Sequence, residues 1–111
     1  MNEPITEATA LHRYPELEAM REAGWNFSAL GGKDELVSIA ATRDHDRYTD
    51  TLFIFEGTEV LANRMLSYEY GGGFVWTREG SNLQEIVREL LALPAPDEPG
   101  APSLVICPSS V

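Results

Sequence analysis

The sequence predicts an α+β domain. An antiparallel sheet of four to five strands carries an N-terminal and a C-terminal helix packed on one face, in the order αββββα, with a proline-rich C-terminal tail. Three observations lead there. Short stretches between Trp25 and Arg78 alternate apolar and polar residues with the two-residue period of strands, and Gly- or Asp-containing turns separate them. Helical spacing of apolar residues brackets the strands on both sides. Five of the seven prolines (Pro94, Pro96, Pro99, Pro102 and Pro108) fall after the last periodic segment.

Residues 1–13 are polar and aperiodic and read as a loose arm. Tyr14-Pro15 opens the first helix, because proline is preformed for a first helical turn. Leu17, Met20 and Ala23 then share one side, Glu16 and Glu18 favour the positive end of the helix dipole, and Gly24 supplies the stop. Trp25 to Leu30 alternates as a strand, Gly31 to Asp34 signals a turn, and Glu35 to Arg43 forms the second strand of a hairpin. Asp44 to Arg47 is a charged loop and Tyr48 to Phe55 the third strand. Residues 59–66 could form a short helix, but the brief connection Glu56-Gly57-Thr58 favours a strand. Gly71-Gly72-Gly73 breaks the chain before a fifth strand from Phe74 to Arg78. Ser81 with Gln84 three residues on has the spacing of a capping box, and Leu83, Ile86, Val87, Leu90 and Leu91 make the apolar stripe of the last helix. Pro94 limits it. The organisation is an arm (1–13), one domain (14–93) and a tail (94–111) in which the apolar segment 104–107 offers a means of folding back.

Composition bounds the function. With 111 residues, the chain can bury about two-thirds of its unfolded surface, enough for one core. Eighteen acidic against eight basic side chains give a formal charge of −10, which disfavours phosphate contacts and so nucleic acid. No apolar run approaches the length of a membrane span, and Met1-Asn2-Glu3-Pro4 has no secretory-signal character. Cys107 is the single cysteine, so no internal disulfide can form; a cytoplasmic location is the expectation.

Motifs with chemistry are few. Asp44-His45-Asp46, with Asp50 nearby, has metal-ligand residue types suited to a weak hard cation, yet alternating residues on an extended loop diverge, and a solvated loop is the simpler account. Cys107 and His12 have no sequence-adjacent partner for nucleophilic catalysis. The Gly71–Gly73 run lacks the following helix or lysine of a phosphate loop. Glu56 and Glu59 have no pocket that would make them an acid–base pair. No cofactor is implied and no family is recognised.

What stands out is a surplus of apolar strand face. Leu36 and Ala40 oppose Val37 and Ile39; Phe53 and Phe55 oppose Leu52 and Ile54; Phe74 and Trp76 oppose Val75. Two short helices cover one side of a sheet. The other side is covered by the tail, by a second copy of the chain or by another protein, unless strand twist and edge positions hide the surplus. Residues typical of interface hot spots cluster late in the sheet: Arg64, Tyr68, Tyr70, Trp76 and Arg78. These five with Phe53 and Phe55 are the expected partner-binding residues. The expected function is a small acidic, non-enzymatic protein-binding module of accessory, regulatory or immunity type, forming a homodimer, engaging a basic partner, or both. The alternative is a small-molecule binding protein or enzyme whose pocket, lined by Arg64, Tyr68 and Trp76, is gated by residues 71–73. Nucleic-acid mimicry and weak divalent-metal binding are minor alternatives.

Overall fold

Pro15 opens a single 3-10 turn, Pro15–Leu17, which runs directly into helix α1, Glu18–Glu22. A computed structural model describes residues 14–31, 37–55 and 59–106. Leu17 and Met20 are fully buried. Ala23, expected on the same side, is exposed, because the helix has already ended and Ala23 is its C-terminal flank. Gly24 then takes φ +92°, a left-handed conformation that glycine adopts without steric penalty, and turns the chain into the sheet.

Five strands follow: β1 (Asn26–Gly31), β2 (Val37–Asp44), β3 (Tyr48–Ile54), β4 (Val60–Leu66) and β5 (Phe74–Gly80). They pair antiparallel in the order β1-β2-β3-β4-β5, a meander in which each strand lies beside its chain neighbour. Residues 60–66 are thus a strand, as the short connection before them requires. Glu35, Leu36 and the connection 56–58 lie outside the described residues, as do the arm, His12 and Cys107. Helix α2 (Leu83–Ala92) closes the domain. Its cap is Asn82, whose side-chain oxygen accepts from the Glu85 amide at 3.0 Å. The cap expected of Ser81 is therefore displaced by one residue to Asn82, an equally good capping side chain, and among the described residues no reciprocal bond of a capping box accompanies it: Glu85, at the third helical position, accepts from Arg78 instead. Leu93 is extended (ψ 132°), as the residue before a proline must be, and the helix stops there.

The registers assign the faces. Ile39 pairs with Ile54, Ala41 with Leu52, Leu52 with Ala62 and Ile54 with Val60. Directly opposed residues share a face, so these side chains form one continuous layer. Leu17 and Met20 from the N-terminal helix and Ile86, Val87 and Leu90 from α2 pack onto it, joined by Trp25. Both helices cover the same side, and among the described residues the opposite side of the sheet carries no helix.

One irregularity shapes the far edge. Arg64 pairs with Trp76 but Met65 pairs with Phe74, so β5 carries one extra residue, Val75, at a bulge. Just before it, Gly71 (φ +115°), Gly72 (φ +72°) and Gly73 (φ +97°) form a left-handed run that returns the chain from the turn Tyr68–Tyr70. The tail turns at Ala95–Glu98 and reaches the edge of β5, where the Ile106 amide donates to the Phe74 carbonyl at 2.9 Å. Leu104, Val105 and Ile106 remain exposed. The described tail therefore meets the sheet at its edge and does not blanket the helix-free side.

Candidate functional site

Strand alternation builds the candidate site. Leu52 and Ile54 point into the core, so Phe53 and Phe55 must point the other way. Their rings lie 6.2 Å apart and 18° from parallel, a stacked pair on the helix-free side. Leu61 sits directly across from Phe53. Phe55 and Met65 are 39% and 37% exposed, large values for apolar side chains, while Phe53 and Leu61 are half-buried. The small side chains Ala40 and Thr51, also on this side by register, lie buried between larger neighbours.

At the Phe55 end the surface becomes concave. A cleft of about 440 Å³ is lined by Phe55, Glu59, Val60, Leu61, Glu79, Gly80 and Ser81. Glu79 is opposite Leu61 in the β4–β5 register, and the Phe55 amide donates to the Glu59 carbonyl at 2.9 Å. Two carboxylates therefore stand beside an apolar floor, and no basic residue lines the cleft. Among the described residues neither Glu59 nor Glu79 has an ion-pair partner. Chemically, the arrangement suits a cation with an apolar neighbour.

The seven residues expected to bind a partner do not form one surface. Phe53 and Phe55 are on the helix-free side. Arg64, Trp76 and Arg78 are on the helix-covered side, because Arg64 opposes Trp76 and Arg78 opposes buried Ala62. Arg64 is 1% exposed and presents nothing to a partner. Trp76 is half-buried against the core. Arg78 bridges to α2, donating from Nε to Glu89 at 3.0 Å and from Nη2 to Glu85 at 2.9 Å. The hydrogen bond and charge of Glu89, with a further contribution from Glu85, hold its pKa above the ordinary arginine value. Tyr68 and Tyr70 are exposed on the turn beyond β4, where the Arg47 guanidinium lies 4.9 Å from the centre of the Tyr70 ring.

Arg64 instead anchors a buried network. Its Nε donates to Asp50 Oδ1 at 2.6 Å, Nη2 to Asp50 Oδ2 at 2.9 Å and Nη1 to the Pro94 carbonyl at 2.7 Å. His45 Nε2 meets Asp50 Oδ2 at 3.0 Å. This arrangement scatters the loop residues that had metal-ligand character. His45 turns to Asp50, Asp44 accepts from the Thr49 hydroxyl at 3.0 Å, and Asp46 points outward beside Arg47. Among the described residues no three His, Cys, Asp or Glu side chains are grouped to hold a metal ion. Glu79 and Leu61 were not singled out by sequence, and neither was the Asp50–Arg64 pair; Glu59 was weighed only as an acid–base partner of Glu56 and without a pocket, whereas it lines this cleft. A signal for the pair existed: Asp50 is in phase with Leu52 and Ile54, and Arg64 with Val60 and Ala62, so strand period alone puts both charges inward.

Two further clefts lie at the ends of the sheet. One of about 530 Å³ runs between Tyr14, Glu16, Ile54 and Val60 and the start of α2 (Ser81 to Gln84). The other, about 360 Å³, lies between Asp46, Arg47 and Tyr48 and the tail residues Pro96 and Asp97. Neither is lined by Arg64, Tyr68, Trp76 or the three-glycine run, so these clefts are not the gated pocket those residues were expected to frame. No helix of the described chain is long and apolar enough to cross a membrane. Comparison with protein-family models, with curated proteins and with solved structures finds no significant match, and the reading of the site rests on its own geometry.

Proposed function

We propose that this protein is a non-enzymatic binding module that recognises a basic protein partner through the helix-free side of its sheet. An apolar side chain of the partner packs on Phe53, Phe55 and Leu61, and a neighbouring Arg or Lys enters the cleft beside Glu59 and Glu79. The observation that carries this reading is the adjacency of exposed Phe55, stacked on half-buried Phe53, and two carboxylates without basic neighbours in the cleft. Burial of the aromatic rings supplies affinity, and the chain's charge of −10 speeds encounter with a positive surface. An accessory, regulatory or immunity-type role follows from that combination.

Affinity capture from a lysate of the native host, with partners identified by mass spectrometry, tests it. A basic protein retained by the wild type should be lost with Phe55→Ser, weakened with Glu59→Gln/Glu79→Gln, and released by salt. Undiminished capture of the same protein by both variants would remove the proposal.

A further inference from the structure

A meander leaves two open edges, and this chain treats them differently. At the β5 edge the strand carries Arg78 and Glu79, and the tail bonds to it at Phe74. At the β1 edge no strand pairs with Asn26–Gly31 among the described residues. Natural edge strands are usually blunted by charge, proline or a bulge, since unpaired N–H and C=O groups invite another strand. Strand β1 (Asn-Phe-Ser-Ala-Leu-Gly) has no charged residue and no proline, and its pairing with β2 runs six residues without a register shift. The neutrality extends inward: on β2, Val37 to Thr42 are uncharged as well. The charges nearest in sequence are Arg21 and Glu22 at the end of α1, Lys33, Asp34 and Glu35 of the connection between the two strands, and Arg43 and Asp44 at the end of β2.

We propose that the β1 edge pairs antiparallel with the β1 edge of a second copy, extending the two five-stranded sheets into one of ten strands. An extended strand is the occupant that the edge's hydrogen-bonding groups demand. The chain's own β1 fits because antiparallel pairing of a strand with its two-fold copy is self-complementary. In a molecule of charge −10, this neutral end is also where like charges are sparsest at the point of contact. Side-chain alternation restricts the register. Paired residue numbers must sum to an even value if each residue is to meet one on its own face, so Ser28 faces Ser28 of the partner or lies one pair from the axis. Both helix layers then lie on one side, and the Phe53–Phe55 surface of both copies stays free. A single six-residue strand pair is small beside the roughly 800 Å² per partner of a standard interface, so the dimer is weak, with a micromolar or higher Kd.

Sedimentation velocity across a wide concentration range tests the pairing. The wild type should shift from monomer towards dimer as concentration rises, and more so in high salt, which screens the repulsion between acidic copies. Ser28 is exposed, so Ser28→Asp puts two carboxylates at the axis or one pair from it without touching the core; it should remain monomeric, while Phe55→Ser dimerises like the wild type. Hydrogen exchange at the amides of residues 26–31 should slow with concentration in the wild type and in Phe55→Ser, but not in Ser28→Asp. A wild type monomeric at every concentration, a Ser28→Asp variant that dimerises undiminished, or a dimer abolished by Phe55→Ser would each overturn the proposal. If Ser28→Asp does not fold, Asn26→Asp, also exposed, takes its place. The opposite salt responses separate this edge from the basic-partner surface, whose complex weakens as salt rises.

Discussion

Arg64 and Asp50 form a two-point ion pair in the interior, Nε to Oδ1 at 2.6 Å and Nη2 to Oδ2 at 2.9 Å, across the β3–β4 register. The two side chains are 1% and 4% exposed, so water does little to screen either charge. A buried pair of this kind contributes little over a well-packed apolar pair, yet breaking it leaves a charge stranded. Arg64→Met or Asp50→Leu alone should cost about 3–5 kcal/mol in urea unfolding. The double variant Asp50→Leu/Arg64→Met should cost clearly less than the two single changes added together. Additive losses would show that the pair is not coupled.

The helix cap gives a finer test. Asn82→Ala removes the acceptor for the Glu85 amide and should cost about 1 kcal/mol of stability. Ser81→Ala should leave the unfolding midpoint within error. The reverse ranking would move the cap back to Ser81.

The tail divides into two parts of unequal weight. Ending the chain after Pro102 removes the Ile106–Phe74 hydrogen bond and exposed side chains, and should cost no more than about 1 kcal/mol. Ending it after Leu93 also removes the Pro94 carbonyl that Arg64 Nη1 needs. A buried charged donor is then left unpaired, and the cost should rise to roughly 2–3 kcal/mol. Thermal unfolding of the two truncated chains distinguishes these cases.

Phe55→Ser should leave stability nearly unchanged, within about 1 kcal/mol, because the ring is largely outside the core. Leu17→Ala, by contrast, should cost about 2–5 kcal/mol although Leu17 lies in a single helical turn, since its side chain is fully buried. Chemical denaturation of both variants checks the pair of expectations. A large loss with Phe55→Ser would mean that the stacked rings belong to the fold and not to a binding surface.

Most of the architecture was legible because strand period and helix spacing are local. The alternation of Leu52, Phe53, Ile54 and Phe55 was enough to place two phenylalanines on the side away from the core. Register was not legible. Arg64 and Arg78 sit on adjacent strands, as expected; the phase of β4 turns Arg64 inward with Val60 and Ala62, but only the pairing of Ala62 with Arg78 shows that Arg78 points towards the helices as well. The attraction of arginine and aromatic residues as hot-spot types outweighed the phase of the strand, which held the better information. Glu79 became visible only once β5 was seen to set it beside Leu61. The exchange of Ser81 for Asn82 as cap is a one-residue ambiguity between two equally good capping side chains.

The meander order also governs how the domain assembles. Every strand pairs with its immediate chain neighbour, so each hairpin closes over a short loop and little chain entropy is lost at any step. Leu17 and Ile86, by contrast, come from opposite ends of the domain and meet in the same core cluster. Their docking is the long-range event of folding, and it ties together hairpins that are otherwise only marginally stable. The two short terminal helices therefore act as the latch that makes the transition cooperative, and a nascent chain still lacking α2 would hold strands with their apolar layer uncovered.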